Sequence, residues 1–144
     1  MDKVKIKKIV VGALALVAVV VVIFAISQSS FGGSNEAKLT KKLETVGADF
    51  YENFYVEQIS QNKTEEEVKD FLGRYTEIGI KVDIENLSRY DEVKYPNLIE
   101  EFVNKKGDIK CDARNTKAII YPKEPFTNKD YTISSELDCG FPEE

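Results

Sequence analysis

One stretch limits what this chain can be more than any other: residues 9–26, IVVGALALVAVVVVIFAI, contain no charged side chain. As a helix rising about 1.5 Å per residue, they would reach about 27 Å, close to the ~30 Å hydrocarbon thickness of a bilayer. Val and Ile are mediocre helix formers in water, but lipid forces every peptide group to find its partner within the segment, and that favours a helix. Lys3, Lys5, Lys7 and Lys8 precede the stretch, opposed only by Asp2, whereas SQSSFGGS after it is uncharged. The sequence therefore predicts a single-pass transmembrane helix acting as a signal-anchor. Its one-sided lysines would hold the N-terminus in the cytoplasm and the remainder outside the cell membrane. A cleaved signal peptide is the competing reading, since Ala25 and Ser27 suit the −3 and −1 positions of a cut. A buried core helix is disfavoured, because a chain of 144 residues has too little mass to surround such a rod.

The predicted organisation follows from this. Residues 1–8 form a basic cytoplasmic tip, 9–26 the transmembrane helix, 27–34 a Gly/Ser linker, and 35–144 one extracytoplasmic domain. From Ser27 onward there are 16 basic and 24 acidic side chains, a net of −8. That balance argues against nucleic acid, whose phosphates call for clustered cations. The basic tip suits anionic lipid, so the expected partners are the lipid bilayer and other envelope proteins. The chain has no histidine, which removes the commonest general base and the commonest metal ligand. No phosphate loop, nucleophile elbow or HExxH occurs, so neither a catalytic residue nor a cofactor is expected.

Both cysteines, Cys111 and Cys139, fall on the predicted outer side, where oxidising conditions favour a disulfide. A catalytic thiol is the alternative, with no histidine to generate its thiolate.

Within the domain, Leu39, Leu43, Val46, Phe50 and Phe54 recur at steps of three and four, an amphipathic helix over 36–60. The pairs Phe50-Tyr51 and Phe54-Tyr55 read as core with tyrosines at its margin; the sharper reading is an aromatic platform for a ligand such as a sugar. Thr64 and Glu67 make a capping box for a second helix carrying Val68, Phe71, Leu72, Tyr75 and Ile78, which Gly79 ends. Residues 80–84 alternate as a strand. Residues 117–121 and 131–139 predict a C-terminal hairpin, with Cys139 on the inward face of its second strand. The expected fold class is α+β: a transmembrane helix, then two amphipathic helices on a small antiparallel sheet. Asp83, Glu85, Asp91 and Glu92 form a loose acidic group without EF-hand spacing.

This layout resembles bacterial type IV pilins and pseudopilins, with their basic start, apolar helix, amphipathic continuation and small sheet carrying a cysteine pair near the C-terminus. Gly12 is followed by Ala13-Leu14-Ala15 where that family has Phe-Thr-Leu-Ile-Glu. The resemblance implies a pilin-like subunit. The reading taken from the residues is a membrane-anchored interaction or structural module of the cell envelope. A third reading is an envelope hydrolase built on carboxylates such as Asp83, Glu85 or Asp91.

Overall fold

The computed structural model describes residues 34–142. Helix α1 (Asn35–Phe50) runs without a break through a π-helical turn (Tyr51–Tyr55) into α2 (Val56–Ser60). Its Leu39, Leu43, Val46 and Phe50 are buried, and Lys and Glu side chains occupy the steps between. That is the stripe expected of a helix with one face on a core. Helix α3 (Glu65–Gly73) starts at the predicted capping box: Glu67 N–H donates to Thr64 Oγ1 (3.2 Å) and Thr64 N–H donates to Glu67 Oε2 (2.7 Å).

Strand β1 (Ile80–Asp83) buries Ile80 and Val82 and exposes Lys81. Helix α4 (Ile84–Tyr90) follows without a spacer, because the Asp83 carboxylate accepts from Asn86 N–H (2.8 Å) and caps it. A short helix α5 (Leu98–Glu101) leads into β2 (Val103–Asn104) and β3 (Ile109–Lys110), which form a two-stranded ribbon of their own. Strands β4 (Lys117–Pro122) and β5 (Tyr131–Glu136) form the C-terminal hairpin. The main sheet has the order β1-β4-β5, antiparallel throughout, so β1 and β5 are its edges.

Helix α1 lies on β4 and β5. The approach is close at Gly47, where a Cβ would stand 2.6 Å from Ala118 Cβ and 3.1 Å from Ile133 Cδ1. The core between them takes Leu43 and Val46 from α1, Leu72 from α3, Ile84 and Leu87 from α4, Phe102, and Ala118 and Ile120 from β4.

The expected fold class is corrected in its helices. Among the described residues no helix is long and apolar enough to cross a membrane. The predicted transmembrane span at 9–26 and its orienting Lys3, Lys5, Lys7 and Lys8 lie outside the described residues. The described helices are one-sided, with charges every turn, and so pack on a sheet with the other face in water. Among the described residues five α-helical segments stand where two amphipathic helices are expected. Helix α3 stops at Gly73, and the chain continues in turns to Gly79, whose φ of +75° and N–H bond to Tyr75 C=O (2.9 Å) close the run. Strand β5 ends at Glu136, and Cys139 lies beyond it, buried.

Candidate binding groove

A groove of about 780 Å³ opens between the π-helical turn, the loop before β1, β1 itself and α4. Its floor is built by the π turn. Val56 N–H donates to Tyr51 C=O, a five-residue step in place of four. The wider turn inserts one residue and rotates everything after it by one helical position. Tyr51, at the start of the turn, is fully buried, while Phe54 within it is turned outward and is 38% exposed.

Helix α4 then brings Tyr90 across to meet Phe50 edge-on (centroids 5.4 Å apart, planes at 87°) and Phe54 at 5.4 Å. Phe50 also packs on Phe54 at 5.4 Å and Tyr55 at 5.8 Å. Such ring pairs add about 0.5–1.5 kcal/mol each beyond the area they bury, so this wall is preformed. The opposite wall is Tyr75 and Ile78, the latter 64% exposed.

The groove has a one-sided electrostatic character. Lys81 and Arg89 line it, and no carboxylate does, in a chain that is net acidic. Arg89 Nη2 is held by Glu85 Oε1 at 2.7 Å, whereas Lys81 makes no ion pair among the described residues. Burial pushes the Tyr55 and Tyr90 hydroxyls above the usual phenol range, with Tyr75 contributing at the former and Asp49 at the latter. Both are therefore neutral hydrogen-bonding groups at physiological pH.

Behind the aromatic wall, Asp49 locks the geometry. Its carboxylate accepts from Tyr95 Oη (2.7 Å) and Asn53 Nδ2 (2.8 Å) and pairs with Lys94 Nζ (3.0 Å). Burial alone would raise the Asp49 pKa; the bonds from Tyr95, Lys94 and Asn53 outweigh it and hold the carboxyl below the usual aspartate range. Burial, together with the same Asp49 contact, pushes Tyr95 up to about 12. Glu52, one turn on, bonds Tyr131 Oη and pairs with Lys129. The π turn is thus pinned from two sides by long-range polar ties.

The residues singled out from sequence fall elsewhere. Cys111 and Cys139 are joined by a disulfide with a Cα–Cα distance of 4.1 Å. It ties the β2–β3 ribbon to the chain beyond β5, where Asn104 Nδ2 also donates to Cys139 C=O (3.0 Å). The acidic group does not converge. Asp83 caps α4, Glu85 pairs with Arg89 and Arg114, and Asp91 accepts from Lys94 N–H (2.9 Å). Each of these three carboxylates is engaged in local structure, and no cluster of metal-ligating side chains occurs among the described residues.

The aromatic doublets divide. Phe50 is core, as expected, and also borders the groove; Tyr51, expected at the margin of the core, is fully buried instead, and Phe54 and Tyr55 reach the groove. Nothing in the sequence indicates that Tyr90, Arg89 and Lys81 share a groove with those rings. The alternation predicts a strand to residue 84 and no helix is expected after it, whereas the chain turns helical at Ile84. The available local signals are Asp83 as a cap, the Ile84/Leu87 spacing and the Glu85–Arg89 pair, and none of them indicates docking beside Phe50. Compared with protein-family models, curated proteins and solved structures, the chain matches none.

Proposed function

We propose that this chain is a membrane-anchored, extracytoplasmic interaction module of the cell envelope, and that the groove between α4 and the π turn is where it takes its partner. The observation that carries the reading is the pairing of two exposed large apolar side chains, Phe54 and Ile78, with a rigid aromatic wall and a carboxylate-free, cationic lining. Exposed apolar area concentrated in a concave surface is what partners bury. Two features support the location. The uncharged stretch 9–26 behind four lysines suits attachment to the membrane with the lysines on its cytoplasmic side and the remainder outside. A buried disulfide suits an oxidising exterior.

The test places a photo-crosslinking amino acid at Ile78 of the full chain in living cells. A control carries it at Val93, which is 93% exposed and outside the groove. Discrete adducts from position 78 that vanish with Phe54→Ala, and none from position 93, are expected. Equal labelling at both positions, or none at 78 while the disulfide stays intact, overturns the reading. Digestion of the acidic domain by protease added to intact cells tests its location, and protection there would refute it.

A pilin-like subunit is a second reading, supported by α1 laid across an antiparallel sheet and a bridge near the C-terminal end. Recovery of the chain in sheared surface filaments would favour it; recovery solely as monomer from carbonate-washed membranes would not.

A further inference from the structure

We infer that the groove takes an extended, acidic peptide segment of another protein by adding it as a fourth strand to the free edge of β1. The inference rests on reading the groove as the partner site. Its first support is the hydrogen-bond phase of β1. Ile84 N–H donates to Thr116 C=O (3.0 Å), and the same register pairs Val82 with Ala118 and Ile80 with Ile120. In an antiparallel ladder only every second residue bonds the neighbouring strand. Residues 80, 82 and 84 are the inward-bonding set, so the N–H and C=O of Lys81, the C=O of Gly79 and the N–H of Asp83 point away from β4. Strand β1 is an edge of its sheet, and among the described residues no other element bonds the Lys81 backbone. This is a row of unmet donors and acceptors at the spacing of a polypeptide. A glycan has no matching repeat.

The second support is that this edge borders the groove, which Gly79, Lys81 and Val82 help to line. In an added strand, side chains alternate between faces. Those in phase with Ile80 and Val82 would meet the aromatic wall, and those in phase with Lys81 would meet its ammonium.

Charge selects the partner. The lining carries Lys81 and Arg89 and no acid, so acidic residues fit the Lys81 face. A second copy of this chain fits poorly. Antiparallel self-pairing centred on Lys81 would set two ammonium groups opposite one another, which destabilises a cross-strand pair.

The experiment titrates the full chain, in mild detergent, with a blocked hexapeptide alternating glutamate with valine or phenylalanine, followed by calorimetry and amide NMR. Binding in the range of about 10–100 μM is expected, with the Lys81 amide among the most shifted. N-methylation of the residues whose amides face β1 is expected to weaken binding by about 10-fold or more, and methylation in the opposite phase to leave it nearly unchanged. Lys81→Glu, or lysine for glutamate in the peptide, is expected to cost a similar factor. Equal affinity for both methylated phases overturns strand addition, and equal affinity for the charge-reversed peptide overturns the acidic partner. If position 78 still crosslinks a partner in cells while the methylation phases do not differ, the groove reading stands and strand addition fails. If neither crosslink nor peptide binding is seen, both fail.

Discussion

The Tyr51 hydroxyl is fully buried and has no hydrogen-bond partner. Its ring packs against Tyr131 (5.0 Å) and stacks on Tyr55 (6.0 Å), so apolar contact keeps it in place while the oxygen contributes nothing. Burial, with smaller contributions from Tyr55 and Asp130, pushes its pKa up to about 12, so the proton stays on. A buried, unsatisfied polar group costs about 1–3 kcal/mol. Tyr51→Phe is therefore expected to stabilise the domain by about 1 kcal/mol in urea denaturation; a loss of that size would reveal a partner for the hydroxyl. Gly47 illustrates the opposite sign. Replacing a mid-helix glycine by alanine ordinarily gains up to about 1 kcal/mol, but overpacking costs about 1–3. With Ala118 Cβ only 2.6 Å from the new methyl, Gly47→Ala is expected to lower the denaturation midpoint, and a rise would mean that α1 is free to lift from the sheet.

At the scale of elements, the π turn is the unusual one, and its ties make it sensitive to acid. Asp49 and Glu52 have folded pKa values below their ordinary 3.8 and 4.5. For Glu52 burial again acts upward, and the Lys129 and Tyr131 bonds prevail. A carboxyl lowered on folding contributes stability above its unfolded pKa and loses it as pH falls through the folded value. Stability is therefore expected to hold from neutrality to about pH 5 and to fall below that. Asp49→Asn with Glu52→Gln should flatten this acid limb while lowering stability at pH 7, and an unchanged limb would place the acid-sensitive groups elsewhere. Glu44 works the other way. Burial raises its pKa above 4.5, with Ser135 opposing, so its contribution is present below that value and lost as pH rises through the folded one. It therefore offsets part of the acid loss from the other two.

At the scale of the molecule, the Cys111–Cys139 bridge closes a loop spanning 28 residues that contains the whole β4–β5 hairpin. In the chain-entropy model such a link stabilises by about 3–4 kcal/mol. Replacing both cysteines by serine is expected to cost about that much in guanidinium unfolding. Amide exchange should quicken in the β2–β3 ribbon before it does in β1. A uniform quickening would show that the bridge supports the whole sheet.

Much of the local structure was written in short-range patterns. The stripe Leu39, Leu43, Val46 and Phe50 announces α1 through its spacing alone, and Thr64 with Glu67 announces the start of α3, because a capping box involves only neighbouring atoms. Alternation marks β1 and β5, and two cysteines in one short chain suggest each other. Tyr75 and Ile78 keep the helical spacing and so predict a longer α3, but the chain has already left the helix at Gly73. Spacing records which side chains prefer burial, not whether a core is there to receive them. The groove was not legible for the same reason. Phe54 is apolar and in phase with the stripe, yet the π turn, held by residues 41 to 79 positions away in sequence, directs it to the surface. The sequence by itself therefore determined the charge balance, the absence of histidine chemistry and the identity of most elements. Only the tertiary structure decided which aromatic rings face solvent, which sheet edge stays open and which cations stand beside it, because those depend on contacts between segments that share no local signal.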